Sequence, residues 1–366
     1  MEMRKKFDEI FEDCTKLGTK IKTDEYHSNG KHPIIDQGQE MVAGFTDLED
    51  GLLDAVPAIV FGDHTRIIKY VDCPFFLGAD GVKVLRSKVP NANYRYLYYA
   101  LKNAKIPNTG YNRHYKWLKE LEIEYPPIDQ QVKTVKVLDK VESIIHNRQN
   151  QLQKLDELVK ARFVELFGGI HDSSLYPYVP VKELTHVISG GTPSRDVLEY
   201  WRDGTIPWVK TTELQNKIIT EVDEHITSKG LAASSAKIVP PNTTLIAMYG
   251  QGKTRGMTGY LGISASTNQA CACILPSPEI NSVYIWKYFE LSYDKLRNMA
   301  KGGNQPNLNG NMIKNFPVLV PPTKQQEEYV QFVNQVDKSK AAVQKSLDEA
   351  QFLFDCLMQM HFGRRI

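Results

Sequence analysis

The sequence has few cysteines, no long apolar run and almost no net charge. Its five cysteines lie at positions 14, 73, 271, 273 and 356, and no two form a Cys-x-x-Cys pair. This pattern supports neither a zinc site nor a disulfide framework. Reduced thiols predict a cytoplasmic protein, and the amino terminus lacks the apolar segment of a secretory signal. No apolar run approaches the roughly 20 residues that span a bilayer, so no membrane partner is expected.

The low net charge limits how the chain can bind nucleic acid. With 45 Lys and Arg against 43 Asp and Glu, the net charge is +2. A protein that holds DNA alone through phosphate contacts is usually more basic. Either the chain does not bind nucleic acid, or partner proteins supply much of the positive charge. The 366 residues are enough for two or three domains of ordinary size.

Motifs for catalysis and for cofactors are missing. The segment GQGKTRG at 250–256 resembles a phosphate-binding P-loop, but that pattern requires glycine at position 247, where alanine stands. The Pro-Pro pairs at 126–127 and 240–241 lack the leading Asn or Asp of amino-methyltransferase motifs. The nine histidines are scattered, and no carboxylate spacing indicates an acid–base pair. We therefore predict no enzyme, with no catalytic residues, no cofactor and no metal.

One phrase, Pro-Pro-x-x-Gln-Gln, occurs twice at an offset of 195 residues. Residues 121–168 align without a gap onto 316–363, with 11 identities in 48 positions. The short runs LEIEY and FPVLV favour strands, and the double proline ends each strand. Thr323 and Gln326 have the spacing of a helix capping box. The phrase therefore predicts a strand-to-helix junction, and the gapless repeat predicts a segment of fixed length.

Apolar residues then recur every seven positions. In the first copy they are Leu138, Ile145, Leu152, Val159 and Leu166, and the second copy has Val333, Leu347 and Phe354 at matching positions. Such a narrow stripe indicates a helix that packs on a single partner helix. Gly168 and Gly363 stand where each helix is expected to end. We predict two long helices in an antiparallel coiled coil.

The segments before the two helices also share a frame but differ in their loops. SNGKHPII at 28–35 parallels RDGTIPWV at 202–209, and NTGYNRHYKWLK at 108–119 parallels GNQPNLNGNMIK at 303–314. Their loops contain the residue types that read base edges and hold phosphates. The predicted DNA-binding residues are His64, Arg66, Tyr111, Arg113, His114, Arg195, Lys210, Thr211, Lys253, Arg255, Asn268, Gln269, Asn304 and Gln305.

Across its full length the chain resembles the specificity subunits of type I restriction–modification systems. The resemblance rests on the two junctions, on SGGTPSR…YW..GTIPWVKTTEL at 189–214, and on GGNQPNLNG at 302–310. It implies an α/β (α+β) fold with an internal pseudo-two-fold repeat. The implied domains are target recognition domain 1 (1–120), spacer helix 1 (121–168), target recognition domain 2 (169–315) and spacer helix 2 (316–366).

The resemblance also implies partners and a mode of action. Each recognition domain would read one half of a bipartite site on double-stranded DNA. The spacer helices would fix the separation of the half-sites and dock two methyltransferase subunits, which nuclease/translocase subunits then join. The residues that we expect to contact these partner subunits are Gln130, Gln131, Phe167, Gln325, Gln326 and Phe362.

Two alternatives belong to other functional classes. The repeated segments could be a protein–protein scaffold for which DNA is irrelevant. The chain could also be a DNA-recognition adaptor of another defence complex, in which case only the identity of its partner would differ. Sequence-specific retention on DNA in the presence of partner subunits separates the first alternative from our prediction.

Overall fold

The computed structural model describes residues 4–78, 80–250, 252–300 and 307–363. These residues form two compact units. The first unit contains the chain up to Asn150 and again from Gln344 onward, and the second unit is Gln151–Val343. Each unit combines sheets with helices, and each contains part of both long helices. The predicted mixed fold class, with an internal repeat and two long helices, is confirmed.

The first unit begins the chain and ends inside the first long helix. Its strands are β1 (Arg4–Lys6), β2 (Phe11–Asp13), β3 (His32–Ile35), β4 (Gly44–Thr46), β5 (Ala58–Gly62), β6 (Ile68–Val71), β7 (Phe76–Leu77), β8 (Val82–Ser87) and β9 (Glu122–Glu124). Its helices are α1 (Phe7–Ile10), α2 (Tyr94–Lys102), α3 (Tyr115–Lys119) and the first part of α4 (Ile128–Phe167). The strands form sheets in the orders β2-β8-β5-β6, β4-β3-β7 and β1-β9.

The second unit repeats this plan with one additional strand in its main sheet. Its strands are β10 (Tyr178–Pro180), β11 (Val187–Ser189), β12 (Ile206–Val209), β13 (Lys217–Ile219), β14 (Glu224–Ile226), β15 (Thr244–Ala247), β16 (Thr258–Leu261), β17 (Ser266–Thr267), β18 (Cys271–Ile274) and β19 (Pro317–Leu319). Its helices are the second part of α4, then α5 (Val181–Leu184), α6 (Ser228–Ala232), α7 (Ser282–Leu291), α8 (Tyr293–Met299), α9 (Gly310–Lys314) and the first part of α10 (Thr323–Phe362). The sheet orders are β11-β18-β15-β16-β13, β14-β12-β17 and β10-β19.

The two junctions have the predicted form of strand, double proline and helix. Strand β9 pairs antiparallel with β1, and β19 pairs antiparallel with β10. The double proline follows each strand, and α4 and α10 begin at Ile128 and Thr323. The predicted capping box is wrong. Thr323 is already the first helical residue, and the side chain of Gln326 instead binds the backbone of Pro321 and Asn281.

The apolar stripes of α4 and α10 are buried or half-buried, as their seven-residue period predicts. In the first unit Leu138 and Ile145 of α4 and Phe354 of α10 belong to one core, which also contains residues of α2 and the main sheet. In the second unit Val159 and Val333 belong to the corresponding core. Removing such side chains from water stabilises each unit by about 25 cal/mol per Å² of apolar surface. The long helices therefore form part of both cores.

An aromatic cluster in the second unit lies outside the seven-residue pattern. Phe163 and Phe167 of α4 pack with Tyr284 and Tyr288 of α7 and with Tyr329 of α10, and their ring centroids are 4.9–6.4 Å apart. Tyr284 Oη donates a hydrogen bond to the carbonyl of Leu319 at 2.9 Å. The cluster thus ties α7 to both long helices and to β19.

The first long helix ends at the predicted glycine. Gly168 follows α4 with φ of 77°, in the left-handed region that favours glycine, and its N–H donates to the carbonyl of Val164 at 2.8 Å. Within the described ranges, no helix is long and apolar enough to cross a membrane.

Candidate nucleic-acid interface

Two loops of the first unit bring predicted DNA-binding residues together. His64 lies in the turn after β5, and Tyr111 lies in the loop before α3. Their rings stack at 4.7 Å between centroids, with 9° between the ring planes. Tyr111 is 88% exposed, so one face of this pair is open to solvent. Gln37 supports the turn because its Oε1 accepts a hydrogen bond from the His64 N–H at 3.2 Å and its Nε2 donates to the carbonyl of Asp80 at 3.0 Å.

The two arginines of this region differ in exposure and in their contacts. Arg113 is exposed. The hydrogen bond from Lys20 is the main cause of the lowered pKa of Asp80, and the charge of Arg113 lowers it further. Arg66 has φ of 63°, and its guanidinium donates to the carbonyl of Ile106 at 3.3 Å. Arg66 therefore connects the two loops as well as offering positive charge.

The structure gives His114 an intramolecular role. The side chain is completely buried. Its Nδ1 lies 2.9 Å from the carbonyl oxygen of Asp63, which can only accept, so Nδ1 carries the proton. The Nε2 atom then accepts from the N–H of Thr109 at 3.4 Å. His114 fixes the loop that presents Tyr111, and sequence alone did not distinguish this supporting position from a surface one.

In the second unit, two tryptophans hold the segment SGGTPSR. The indole of Trp208 donates to the carbonyl of Gly191 at 2.9 Å, and that of Trp201 donates to the carbonyl of Ser194 at 2.9 Å. The guanidinium of Arg195 lies 3.7 Å from the Trp201 ring centroid and 4.8 Å from that of Trp208. Stacking on an aromatic face suits the planar guanidinium and limits its orientations. Arg195 is thus held in place before any ligand binds.

Glu224 joins two of the predicted DNA-binding cations. Its carboxylate lies 2.5 Å from Arg195 Nη1 and 3.0 Å from Lys210 Nζ. The hydrogen bond from Arg195 is the largest cause of the lowered pKa of Glu224. Lys210 also approaches Asp223 at 3.3 Å, and its pKa is raised, mainly by its hydrogen bond to Glu224. Thr211 follows directly and is half-buried.

A second group lies where β17 leads to β18. The N–H of Asn268 donates to the carbonyl of Val209 at 3.0 Å. Asn268 Oδ1 is buried with no hydrogen-bond partner among the described residues. The neighbouring Gln269 is exposed, and its side chain accepts a hydrogen bond from the hydroxyl of Thr192. This contact brings the loop to the SGGTPSR segment, whose Thr192 the sequence analysis did not select.

The glycine-rich loop 250–256 is held by α8. Tyr293 Oη donates to the carbonyl of Lys253 at 2.7 Å, and Arg297 Nη1 donates to the carbonyl of Arg255 at 3.0 Å. The side chain of Lys253 is exposed, and that of Arg255 is half-buried. Sequence analysis missed Tyr293 and Arg297 because both lie on a helix about 40 residues away. Asn304 and Gln305, predicted in the next loop, lie outside the described residues.

Of the six residues predicted to contact partner subunits, three are buried, two are half-buried and one is exposed. Gln131 and Gln326 are 1% and 2% exposed. Phe167 is in the aromatic cluster, and the ring of Phe362 is 5.2 Å from that of Tyr96. Gln325 is half-buried, whereas Gln130 is exposed. Burial assigns Gln131, Gln326 and Phe167 to the junctions and cores of the chain itself.

Comparison with known proteins identifies the family. The sequence model described as Type I restriction modification DNA specificity domain matches residues 3–156 and again 175–350. Two matches in tandem cover most of the chain and coincide with its internal repeat. The chain belongs to this family. The resemblance drawn from the two junctions is therefore confirmed, and the scaffold alternative is not favoured.

Relatives of this specificity family match over different lengths. The type I restriction enzyme EcoR124I/EcoR124II specificity subunit of Escherichia coli is 22% identical over 346 residues, which are 89% of this chain and 84% of that protein. The MjaIX specificity subunit of Methanocaldococcus jannaschii is 27% identical over 165 residues, which are 43% of this chain and 37% of that protein.

Solved structures show the same fold. The type I restriction–modification S subunit from M. genitalium is similar with a TM-score of 0.61 and 16% identity, over 100% of this chain and 96% of that chain. A chain from a structure concerning complex assembly and conformational transition of the type I R-M system has a TM-score of 0.54 and 15% identity. This likeness covers 100% of this chain and 98% of that chain.

Proposed function

We propose that this chain is a non-catalytic DNA-recognition subunit, whose two recognition domains each read one half of a bipartite site. The single observation that carries the proposal is the tandem family match over two units with the same sheet plan but different loops. A common frame with divergent polar loops allows each copy to recognise a different sequence. The two half-sites then need not form a palindrome.

The proposed domains follow the internal repeat. Recognition domains at 1–120 and 169–315 precede spacer helices at 121–168 and 316–366. Because α4 and α10 are both 40 residues long and the repeat aligns them without a gap, we infer that they set the separation between half-sites. Two readers on matched supports require two half-sites at a fixed distance, as in dimeric DNA-binding proteins.

Within the first domain, we propose that the stacked pair His64 and Tyr111 contacts DNA together with Arg113. The open face of Tyr111 and the exposed charge of Arg113 support this assignment. His114 and Arg66 support the loops that carry this surface.

Within the second domain, we propose Arg195 as the principal base-reading residue. Its stacking on Trp201 presents a guanidinium with limited freedom, and bidentate guanidinium contacts are well suited to guanine. Lys210, Lys253 and Gln269 then contact phosphates or neighbouring bases. Thr211, Arg255 and Asn268 remain proposed members of this surface, as do Asn304 and Gln305.

We propose that two methyltransferase subunits dock on the spacer helices and that nuclease/translocase subunits join them. The net charge of +2 supports shared contact with DNA, because the chain alone has little excess positive charge. Gln130 is exposed at the start of α4 and is the accessible member of the set predicted to bind partners.

The decisive test is methylation mapping in cells that express the chain with a type I methyltransferase subunit. We expect a split motif with modified adenine in both halves. Exchange of residues 169–315 for the equivalent segment of a relative should change one half only. Modification within a single continuous motif, or without any motif, would contradict the two-domain proposal.

A further inference from the structure

A cavity of about 440 Å³ opens beside edge strand β11 in the second unit. It lies between this strand, the segment before Val239, and α9. The lining residues are Val187, Ile188, Ser189, Lys237, Asn309, Gly310, Asn311 and Lys314. None of these residues is acidic. Five of them have polar or charged side chains, one is Gly310, and the other two are apolar.

The internal repeat shows which side chain fills the equivalent space in the first unit. Helices α3 and α9 are both five residues long and start 195 positions apart, so Tyr115 and Gly310 are equivalent. In the first unit, the Tyr115 ring packs 6.1 Å from that of Phe7 and 6.4 Å from that of Phe61. Among the described residues, a Cβ atom added to Gly310 would meet only Ser189 Oγ, at 3.8 Å. The second unit therefore has open space where the first has an aromatic side chain.

In the first unit, a lysine and a carboxylate at this position also form an ion pair. Lys83 Nζ lies 2.8 Å from Asp13 Oδ2 and 4.9 Å from the Tyr115 ring centroid. Asp13 ends β2 as Ser189 ends β11, and their strand partners are Leu85 and Ala272. Ala270 precedes Ala272 by two residues, as Lys83 precedes Leu85. At the equivalent positions the second unit therefore has none of these three groups. Gly310 stands in place of the ring, Ala270 in place of the lysine and Ser189 in place of the carboxylate.

The cavity presents donors without a compensating negative charge. Within the described residues, neither Lys237 nor Lys314 forms an ion pair. Leu275 N–H donates to the carbonyl of His186, and Gly190 N–H donates to the carbonyl of Cys271. Since hydrogen-bonded pairs alternate along an antiparallel ladder, the backbone groups of Val187 and Ser189 point away from β18. Ammonium groups, amides and free N–H groups are the donors that hold phosphate.

The position of the cavity connects it to the proposed DNA surface. Ser189 leads directly into Gly190 and Gly191, and Thr192 then donates its hydrogen bond to Gln269. Lys237 follows Ala236, whose backbone packs so closely on Gly191 that an added Cβ there would lie 2.3 Å from its nitrogen. The cavity and the Gln269 loop therefore border the same segment.

We propose that this cavity binds a phosphate group through Lys237 and Lys314, and that the phosphate belongs to the DNA backbone. The assignment to DNA rests on the proposed function, whereas the phosphate site itself rests on the cavity. It follows that the two recognition domains hold DNA differently, because Tyr115 fills the equivalent space in the first unit.

Two variants of the full-length chain test the cavity in different ways. Gly310→Tyr copies the first unit and fills the space without changing charge, and Gly310 is not in the left-handed region that disfavours a side chain. Lys237→Met with Lys314→Met removes the charge but keeps side-chain length. Lys217→Met with Lys229→Met is the matched control, since both lysines are exposed in the same unit, outside the cavity and outside the spacer helices. Circular dichroism melting confirms that each variant is folded.

The first measurement is titration of each folded protein with inorganic phosphate, followed by phosphorus NMR and calorimetry. The second is DNA affinity against salt concentration for the complex with methyltransferase subunits. We expect both cavity variants to lose the phosphate signal. Their DNA affinity should fall equally for target and non-target duplexes, and the lysine pair should reduce the salt slope by about 0.9, the value for one phosphate. The control should match the wild-type protein.

The outcomes separate the phosphate sources. Loss of phosphate binding with unchanged DNA affinity would overturn the DNA assignment and indicate a small phosphorylated ligand. Unchanged phosphate binding and unchanged DNA affinity in both cavity variants would overturn the site altogether. If the wild-type complex shows no sequence-specific DNA retention, the proposed function fails, while the titration with inorganic phosphate still decides the cavity.

Discussion

Gln131 and Gln326 each donate a hydrogen bond from Nε2 to the carbonyl of the first proline in their own junction, at 2.8 Å in both units. The two glutamines differ at their other side-chain atom. Gln326 Oε1 accepts from the N–H of Asn281, the residue that caps α7, at 2.9 Å. Gln131 Oε1 is buried without a hydrogen-bond partner among the described residues. Each glutamine thus binds the proline segment of its own junction, and Gln326 also connects its junction to the start of α7.

This difference predicts unequal costs for the same substitution. Gln326→Met leaves two buried backbone groups without partners, whereas Gln131→Met leaves one. An unsatisfied buried group costs about 1–3 kcal/mol, so the variant at 326 should lose more unfolding free energy. Urea unfolding of the full-length chain measures both values, with exposed Gln130→Met as the control. Equal losses would show that the contact with Asn281 contributes nothing.

Arg195 should affect one base position rather than overall affinity. We expect Arg195→Ala to cost about 1–3 kcal/mol at a single position of one half-site and to relax specificity there. Arg195→Lys should restore little, because lysine keeps the charge but lacks the planar group that stacks on Trp201. Competition binding with single-base variants of the target measures this effect. Arg202→Ala, at an exposed arginine of the same segment, is the control. Uniform weakening on all sequences would instead assign Arg195 to a phosphate.

Tyr111 should be important for binding but not for folding. Because its side chain is 88% exposed, Tyr111→Ala should change the unfolding free energy by no more than about 0.5 kcal/mol. We expect the same variant to weaken recognition of one half-site, because the stacked pair with His64 is lost. Tyr111→Phe keeps the ring and should retain most of the affinity. The proposal for this loop fails if Tyr111→Ala binds target DNA as the wild-type complex does.

His171 should make the second unit less stable in acid. Its pKa is lowered to about 4 from the ordinary 6.5, first by burial and then by the nearby charge of Lys295. Between these two values the unfolded chain binds a proton that the folded chain does not, so stability falls as the pH decreases from about 6.5 to about 4. The contribution is absent above that window. Melting temperatures of His171→Gln should depend less on pH than those of the wild-type protein.

The control for this prediction is His186→Gln, at an exposed histidine of the same unit. His171 is still present in this variant, so its melting temperature should follow the wild-type pH dependence. If His171→Gln and the wild-type chain respond identically to acid, protonation of other groups determines the behaviour.

The spacer proposal predicts a change in half-site separation when both long helices are shortened. Removal of seven residues from each, at 145–151 and 344–350, keeps the apolar period and shortens each helix by about 10 Å. This length corresponds to about three base pairs at 3.4 Å per step. Methylation mapping should then find the same half-sites with a shorter gap. An unchanged gap would mean that the helices do not set the spacing.

The sequence allowed accurate prediction of features that depend on local pattern. The strands at both junctions, the long helices and the stop at Gly168 follow from proline, from apolar periodicity and from glycine conformation. Features that depend on distant contacts were missed. The capping box at Thr323 was wrong because the Gln326 side chain finds partners in Pro321 and Asn281, and nothing in the local spacing indicates Asn281.

The candidate site shows the same division. Residue types in the loops selected His64, Tyr111 and His114 alike, but they gave no sign that the first two stack on each other or that His114 is buried. Likewise, Glu224 is one acidic residue among many in the sequence, and only the fold brings it to both Arg195 and Lys210. Loop composition predicts the kind of surface, whereas the tertiary contacts determine which side chains are available.

The aromatic cluster of the second unit limits how recognition domains can recombine between chains. Tyr284 and Tyr288 would travel with an exchanged segment 169–315, while Phe163, Phe167 and Tyr329 would stay with the recipient's helices. After a crossover at these boundaries, one core therefore combines side chains from the donor and from the recipient. The hybrid folds well only if the donor's aromatic rings pack against those of the recipient's helices. Compatibility of core packing, and not only of DNA sequence preference, would then decide which new specificities can arise by recombination.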